Sequence, residues 1–278
     1  SAIGNSVAEN HIALKAGACG IKKNLNLFAT KYASELPFGQ VQASTAFLQK
    51  KLNISQAGIT RTSMLALHAF NEAVANAGFS ATMISAGDTA LVGASTVGGM
   101  CLTDELYADA NKNEAGSEYT SSYDCASVFL YLQQCYGMHG IINTINTACS
   151  SSANAIMYGA LLIKNGFAKR AIVGGSDSLA KFTINGFHAL HILSNEKCTP
   201  FDEHRKGLNL GEAAAFLVLE KEEDAAEKKI YAELSGYCNA NDAYHPSSLS
   251  DQADGPFLSM QGALHSAKID AAQIDFIN

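Results

Sequence analysis

The amino-acid sequence predicts an α/β fold built around a mostly parallel sheet. Four short apolar runs, typical of buried strands, alternate along the chain with segments of helical character. Strands that are apolar throughout and separated by helices indicate a parallel sheet with both faces covered. The composition agrees, because 47% of the 278 residues are hydrophobic and 16% are charged, as expected of a globular chain with a sizeable core.

The predicted elements divide the chain into two halves. The predicted strands are residues 89–94, 140–147, 170–175 and 214–220, and the predicted helices lie near 61–77, 122–137 and 150–165. A charge cluster at residues 220–229 (EKEEDAAEKK) predicts a solvated helix. We place the boundary within it, so that residues 1–225 form the first half and residues 226–278 begin a second. The second half is predicted to hold a strand at 230–234, a helix near 257–267 and a strand at 274–278.

The bulk composition argues against several classes of function. A net charge of −7 disfavours nucleic acid as a partner, because phosphate binding needs a basic surface. No apolar run is long enough to span a membrane, and the first residues lack the basic and apolar regions of a signal peptide. The seven cysteines are scattered without a C-x-x-C pair, which favours reduced thiols over disulfides or a zinc site. We therefore expect a cytoplasmic protein without a metal site.

Cys149 is the strongest candidate for a functional residue. It lies in the segment 146–155 (NTACSSSANA), after a predicted strand and before a predicted helix. Unpaired N–H groups and the positive end of the helix dipole favour the thiolate at such a position. The thiolate is the nucleophile in covalent catalysis by cysteine. A free cysteine more often simply fills space in a core, so the turn alone indicates function without establishing it.

Three segments together resemble those of a known family in their order and spacing. They are residues 147–151 (TACSS), 198–207 (CTPFDEHRKG) and 209–220 (NLGEAAAFLVLE). They resemble the β-ketoacyl-acyl carrier protein synthases, the elongating condensing enzymes of fatty acid and polyketide synthesis. The resemblance covers essentially the whole chain and implies the thiolase fold, in which two similar halves each wrap helices around a five-stranded mixed sheet. We expect a thiolase-like fold with its N-terminal half largely present and its C-terminal half only partly present.

The resemblance also places parts of the family pattern outside these 278 residues. In the family, a strand precedes the segment matched by residues 1–5. An Ala-His-Gly-Thr segment, which carries the first catalytic histidine, follows the position of Asn278. A lysine, a second catalytic histidine and a glycine-rich loop lie further on. We therefore expect a chain truncated at both ends and inactive without those histidines, since none of the eight histidines present takes their role in the resemblance.

The reaction implied by the resemblance is a decarboxylative Claisen condensation on Cys149. The thiolate takes the acyl group from an acyl carrier protein, and the carbanion formed from malonyl-carrier protein then attacks the acyl-cysteine. No metal or organic cofactor is required by this chemistry, so none is expected. The implied partners are the acyl- and malonyl-loaded carrier protein and a second synthase subunit, in a homodimer or a heterodimer. The apolar segment 123–137 suits a helix buried near such an interface, and packing within the core of the chain would give the same pattern.

Further site residues are carried over from the resemblance position by position. Val97 and Phe187 match positions that line the acyl pocket, although Val97 is equally consistent with an ordinary core valine. Asp242 matches an acid that supports the site without touching the substrate, and structural hydrogen bonding is its alternative role. The residues expected to dock the carrier protein are Lys50, Lys51 and Arg61.

Two other functions stay open at this point. One is a non-catalytic partner like a chain-length factor, which shapes the acyl tunnel of a heterodimer. Such partners typically lack the nucleophilic cysteine, so the presence of Cys149 disfavours it. The other is a thiolase acting on coenzyme A esters, although residues 201–207 fit the synthases better. The sequence also leaves open whether the product belongs to primary fatty acid synthesis or to a specialised polyene or polyketide route.

Overall fold

The structure is a computed structural model that describes residues 1–225, 227–245 and 248–277. The chain forms two compact units, Ser1–Glu220 and Lys221–Asn278. The helices are α1 (Val7–Lys15), α2 (Thr45–Lys51), α3 (Arg61–Asn76), α4 (Ala81–Ser85), α5 (Thr103–Ala110), α6 (Ser127–Tyr136), α7 (Ser151–Lys164), α8 (Lys181–Ala189) and α9 (Asp254–Ala267). The strands are β1 (Thr89–Ala94), β2 (Ile142–Ile145), β3 (Arg170–Asp177) and β4 (Ala213–Glu220). Short 3₁₀ turns lie at Met100–Leu102, Thr120–Ser122, Ala148–Ser150, Glu222–Asp224 and Ala271–Gln273.

The described residues form a four-stranded sheet in the order β2-β1-β3-β4. β1 pairs in parallel with both β2 and β3, whereas β4 pairs antiparallel with β3. The register places Ala94, the last residue of β1, opposite Ile145 of β2 and Gly175 of β3. The predicted α/β fold with a mostly parallel sheet is confirmed, and each of the four strands lies where an apolar run predicted it. β2 is shorter than its apolar run.

Helices cover both faces of this sheet. Successive strand residues point to opposite faces, so Leu91 and Val92 of β1 belong to different cores. Leu91 packs with side chains of α3 and α6, among them Phe70 and Phe129. Val92 packs on the other face with side chains of α7, including Leu162. Each such buried side chain contributes about 1.5–3 kcal/mol to folding, so these two cores hold the strand ends in fixed positions.

Two glycines lie side by side at the centre of the sheet. Gly93 of β1 pairs in register with Gly174 of β3. A Cβ on Gly93 would lie 2.1 Å from the Phe129 ring, and a Cβ on Gly174 would lie 2.6 Å from the Phe216 ring. The two rings pack edge to face with their centroids 6.3 Å apart. The glycines therefore make the room in which these aromatic side chains pack against the sheet.

Local sequence signals set the ends of several helices. The hydroxyl groups of Ser44 and Thr60 cap α2 and α3, accepting hydrogen bonds from the N–H groups of Phe47 and Ser63. Capping of this kind contributes about 1 kcal/mol. Helix α6 ends at Tyr136 and is followed by Gly137, whose φ of 57° is left-handed and accessible to glycine without a steric penalty. No helix in the described ranges is long and apolar enough to cross a bilayer.

The unit Lys221–Asn278 departs from several sequence predictions. The predicted helix near 257–267 is confirmed as α9, which begins at Asp254. The predicted strands at 230–234 and 274–278 are wrong for the described residues, which pair with no strand there. Apolar side chains form a strand only where a neighbouring strand supplies hydrogen bonds. The charge cluster at residues 220–229 forms a 3₁₀ turn at Glu222–Asp224 in place of the predicted helix. Ala226 of this cluster lies outside the described residues.

Candidate active site

The carboxyl ends of the three parallel strands bring two predicted site residues, Val97 and Cys149, to one edge of the sheet. Residues 95–98 follow β1, residues 146–149 follow β2, and Asp177 is the last residue of β3. The register aligns these strand ends. In open α/β sheets, ligands bind outside the carboxyl ends of the strands. In the part of the chain that the structure describes, no three His, Cys, Asp or Glu side chains are arranged to hold a metal ion.

Cys149 lies at the strand-to-helix turn that the sequence predicted. It is the middle residue of a 3₁₀ turn that joins directly onto α7, and its side chain is exposed. The preceding residue, Ala148, has a φ of +53°. This left-handed conformation costs a residue with a Cβ about 1–2 kcal/mol. Strain of this kind persists only where the surrounding structure enforces it, and it clusters at functional sites.

Hydrogen bonds from polar side chains enforce the turn around Cys149. The N–H of Thr147 donates to Ser151 Oγ at 2.8 Å, and that hydroxyl donates to the carbonyl oxygen of Ala148 at 2.6 Å. Asn154 Nδ2 donates to Thr147 Oγ1 at 2.7 Å. The two residues before Cys149 are therefore tied to the first turn of α7, which presents the thiol at the helix N-terminus. The small polar residues around the cysteine were the sequence signal for this turn.

Val97 is buried in the loop that follows β1, with 5% of its surface exposed. The Asp177 carboxylate holds this loop. Asp177 Oδ1 accepts hydrogen bonds from Ser95 Oγ and from the N–H of Val97, both at 2.8 Å. Asp177 was not among the site residues predicted from the sequence. The signal that could have found it is a carboxylate that directly ends an apolar strand.

Cys125 lies where these loops meet. Its Sγ accepts a hydrogen bond from Asn146 Nδ2 at 3.5 Å, and Asn146 Oδ1 accepts the N–H of Ala148 at 3.3 Å. Burial raises the pKa of the Cys125 thiol, and the charge of Asp177 raises it further. A Cβ on Gly98 would lie 2.8 Å from the Cα of Cys125. The loop of Val97 and the loop of Cys149 are thus both in contact with the segment around Cys125.

Phe187 lies on α8, which begins four residues after the end of β3. The side chain is half-buried, whereas Ile184 of the same helix is fully buried. The N–H of Leu179, just before the helix, donates to Glu212 Oε2 at 3.2 Å. These contacts fix the start of α8 near the strand ends. The assignment of Phe187 to the acyl pocket stays a prediction.

Arg61 does not fit the docking role predicted for it. Only 6% of its surface is exposed, and its guanidinium faces the fully buried carboxylate of Glu212. Arg61 Nε donates to Glu212 Oε2 at 2.9 Å and Nη2 donates to Oε1 at 2.6 Å, while Nη2 also donates to the carbonyl oxygen of Ala43 at 2.9 Å. A guanidinium satisfied in this way is not available to an acidic partner. Arg61 is therefore a buried structural residue.

Lys50 and Lys51 are exposed on the last turn of α2, as docking residues must be. Leu48 of the same helix is buried and packs beside Met64 of α3, which fixes the orientation of α2. The docking role of the two lysines stays a prediction.

Asp242 holds a loop of the unit Lys221–Asn278. Its carboxylate accepts hydrogen bonds from the N–H and the hydroxyl of Ser250, each at 2.8 Å, and from the N–H of Gly255 at 3.3 Å. These bonds connect the loop to the first turn of α9. The N–H of Ser250 is the main cause that lowers the pKa of Asp242. The alternative role named for this residue, structural hydrogen bonding, is the one for which the structure gives contacts.

Acidification is expected to release the Asp242 loop. The pKa of the Asp242 carboxyl is lower in the folded protein than its ordinary value of 3.8, so the ionised carboxylate stabilises the fold. This stabilisation is fully present above pH 3.8 and is lost as the pH falls through the lowered pKa. The Ser250 and Gly255 amides should be protected from hydrogen exchange, and this protection should decline as the pH falls below 3.8. In the Asp242→Asn variant the same amides should be less protected and insensitive to pH. Protection that is equal in both proteins would contradict the assignment, and the α3 amide of Met64 is the internal control.

The fold and the site define a class of protein: an α/β domain with helices on both faces of a mostly parallel sheet and a cysteine at the turn from a strand into a helix. Residues 4–225 match the family profile described as Beta-ketoacyl synthase, N-terminal domain. The chain belongs to the β-ketoacyl synthase family.

Individual relatives agree with this assignment. The 3-oxoacyl-[acyl-carrier-protein] synthase 2 of Rhizobium meliloti (strain 1021) is 38% identical over 151 residues, which are 51% of this chain and 36% of the relative. A solved structure of the ishigamide ketosynthase/chain length factor is 25% identical with a TM-score of 0.90, covering 100% of this chain and 70% of that one. A beta-ketoacyl synthase from Burkholderia phymatum STM815 gives a TM-score of 0.82 at 25% identity over 99% of this chain and 70% of that one. The matches span 36–55% of the length of the first curated relatives.

Proposed function

We propose that the complete protein is a 3-oxoacyl-[acyl-carrier-protein] synthase of fatty acid synthesis or of a related polyketide or polyene route. The observation that carries the proposal is Cys149, held by side-chain hydrogen bonds at the turn between β2 and α7 in a chain of the β-ketoacyl synthase family. A cysteine at a helix N-terminus, outside the carboxyl ends of parallel strands, is placed to act as a nucleophile toward a bound thioester.

The proposed reaction has two stages. In the first, the Cys149 thiolate attacks the thioester carbonyl of an acyl-carrier protein, a new acyl–sulfur bond forms and the carrier leaves as its thiolate. In the second, malonyl-carrier protein loses carbon dioxide, and the resulting carbanion attacks the acyl-cysteine. This attack releases the Cys149 thiolate and forms a 3-oxoacyl chain two carbons longer. The N–H of Cys149 is the proposed donor to the oxyanion of the tetrahedral intermediate.

The remaining assignments extend this proposal to substrate and partners. Val97 and Phe187 are proposed to line the acyl pocket, and Lys50 and Lys51 to dock the acidic carrier protein. Dimerisation is proposed through the region of α6, where Leu130 exposes about half of its surface. A related structure is a ketosynthase in complex with its chain length factor from Xenorhabdus doucetiae. It supports a heterodimer as the functional form here, and a homodimer is the proposed alternative.

The test is acylation of the complete protein by an acyl-loaded carrier protein, read by mass spectrometry of its peptides. The acyl group is expected on the peptide of Cys149, and addition of malonyl-carrier protein should then yield the elongated 3-oxoacyl product. Cys19 provides an internal control, because it is exposed and its pKa is lowered by the backbone N–H of Ile21. A non-specific acylation would therefore modify Cys19 as well.

Two outcomes would favour other functions. If Cys149 is not acylated in the complete protein, the proposal fails and a non-catalytic subunit becomes the better description. If acyl-coenzyme A replaces the loaded carrier with equal or higher efficiency, a thiolase-like activity is indicated.

A further inference from the structure

We infer that Asp177 is a positioning residue that sets the acyl-chain preference by fixing Val97. The inference rests on the proposed function, because it takes Val97 as a wall of the acyl pocket. Asp177 ends β3 at the sheet edge from which the loop of Val97 and the loop of Cys149 also leave. The contacts on both sides of this carboxylate are what carry the inference.

The loop after β1 is wrapped around the Asp177 carboxylate. Oδ1 accepts the N–H of Thr96 at 2.9 Å, in addition to its bonds with Ser95 and Val97, and Oδ2 accepts Thr96 Oγ1 at 2.6 Å. An ionised carboxylate is an acceptor only, so it matches this set of donors from three successive residues. Hydrogen bonds to a charged acceptor are roughly twice as strong as neutral ones. The backbone position of Val97 therefore depends directly on Asp177.

Asp177 is itself held in place by its two neighbours. Ser176 Oγ donates to the carbonyl oxygen of Thr62 at 2.9 Å, and Ser178 Oγ lies 2.8 Å from Thr62 Oγ1. Both serines are buried. They tie the end of β3 to the first turn of α3, which packs on the sheet. The carboxylate is therefore a rigid reference point from which the loop of Val97 is positioned.

The far end of the loop has little freedom to compensate for a change at Asp177. The N–H of Gly98 donates to Ser95 Oγ at 3.0 Å, and the N–H of Gly99 donates to the carbonyl oxygen of Tyr123 at 3.0 Å. A Cβ on Gly99 would lie 2.0 Å from the carbonyl oxygen of Ser122. Because both glycines are confined, loss of the carboxylate would displace the part of the loop between them and β1, which contains Val97.

The test compares Asp177→Asn with the unchanged complete protein. In asparagine an NH₂ group replaces one of the two carboxylate oxygens. This group is a donor, so it cannot accept hydrogen bonds from Ser95, Thr96 or Val97. Carrier proteins loaded with acyl chains of graded length compete for Cys149, and mass spectrometry reads the length of the chain bound. The preference for the longest accepted chain over the next longer one is expected to fall about tenfold, the lower end of the effect of one methylene group in a hydrophobic pocket. Acylation by the shortest chain should stay close to that of the unchanged protein.

Four further variants decide the interpretation. Val97→Ala should reproduce the altered preference, and the double variant should add little to it if Asp177 acts through Val97. Asp109→Asn is the matched control, because Asp109 also holds a loop by accepting a backbone N–H, that of Glu118 at 3.0 Å. It should leave the preference unchanged. If Asp177→Asn does not fold, Ser95→Ala removes one of the same donors and should alter the preference in the same direction.

The outcomes separate this inference from the proposed function. Absence of acylation at Cys149 in the unchanged protein would refute the proposed function. Normal acylation there, with every chain length slowed equally by Asp177→Asn or with fully additive effects of the two substitutions, would overturn the role of Asp177 alone.

Discussion

Replacing Cys149 with alanine is expected to abolish acyl transfer in the complete protein, with a loss of about 10⁴-fold or more in kcat/KM. The proposed reaction forms a covalent bond to this sulfur, so no partial function of the residue survives its removal. The side chain is exposed, and substitution of an exposed side chain usually changes stability by less than about 0.5 kcal/mol. The loss of activity should therefore appear without a loss of folding.

The measurement is the rate of acyl-enzyme formation, together with the thermal unfolding midpoint of the same samples. Cys19→Ala is the control, because Cys19 is another exposed thiol of the same unit. It should keep normal acyl transfer. Retention of more than about a tenth of the activity by Cys149→Ala would show that this cysteine is not the nucleophile.

Glu212→Ala is expected to destabilise the protein by about 3–5 kcal/mol, the usual cost of removing one partner of a buried ion pair. The Glu212 side chain is fully buried, and it accepts the N–H of Val41 at 3.0 Å as well as hydrogen bonds from the Arg61 guanidinium. Its removal leaves a buried cation and two backbone N–H groups, those of Val41 and Leu179, without their acceptor. Desolvated groups of this kind are costly when they are unpaired.

Chemical denaturation of the two proteins measures this difference. Glu196→Ala is the matched control, because Glu196 pairs with Lys206 at 2.8 Å but both side chains are 61% exposed. Its loss should cost less than about 1 kcal/mol, as is usual for surface ion pairs. Replacing Arg61 and Glu212 together by Met and Leu should recover part of the lost stability, since no charge is then left buried alone. A cost below about 1 kcal/mol for Glu212→Ala would contradict the structural role.

The sequence predicted the sheet well and the last part of the chain poorly, for one physical reason. β1 and β3 are buried on both faces, so they appear in the sequence as continuous apolar runs that require no knowledge of their neighbours. A strand at 230–234 would need a partner strand, and in the structure Ile230, Tyr231 and Leu234 are exposed. Local apolar content does not reveal whether such a partner exists.

The site residues differ in the same way, because some depend on neighbours in the sequence and others on residues far away along the chain. Cys149 could be located from its own neighbours, because the turn that presents it is fixed by Thr147, Ser151 and Asn154. Arg61 was misassigned because the residue that buries it, Glu212, lies 151 positions away along the chain. A sequence shows that an arginine is charged, but its partner and its exposure follow from the fold.

The pair of glycines at the centre of the sheet has a consequence for how this sequence can diverge. Gly93 and Gly174 face Phe129 and Phe216 at distances that leave no space for a methyl group. A change at Gly93 is tolerated only after the Phe129 ring has become smaller, and a smaller ring alone leaves a cavity. A Cβ on Gly174 would also lie 2.2 Å from the backbone carbonyl oxygen of Ala215, and no change of side chain removes that contact. Positions 93 and 129 are therefore coupled in evolution, whereas position 174 is expected to stay glycine. Covariation between positions 93 and 129 would be a signature of this domain.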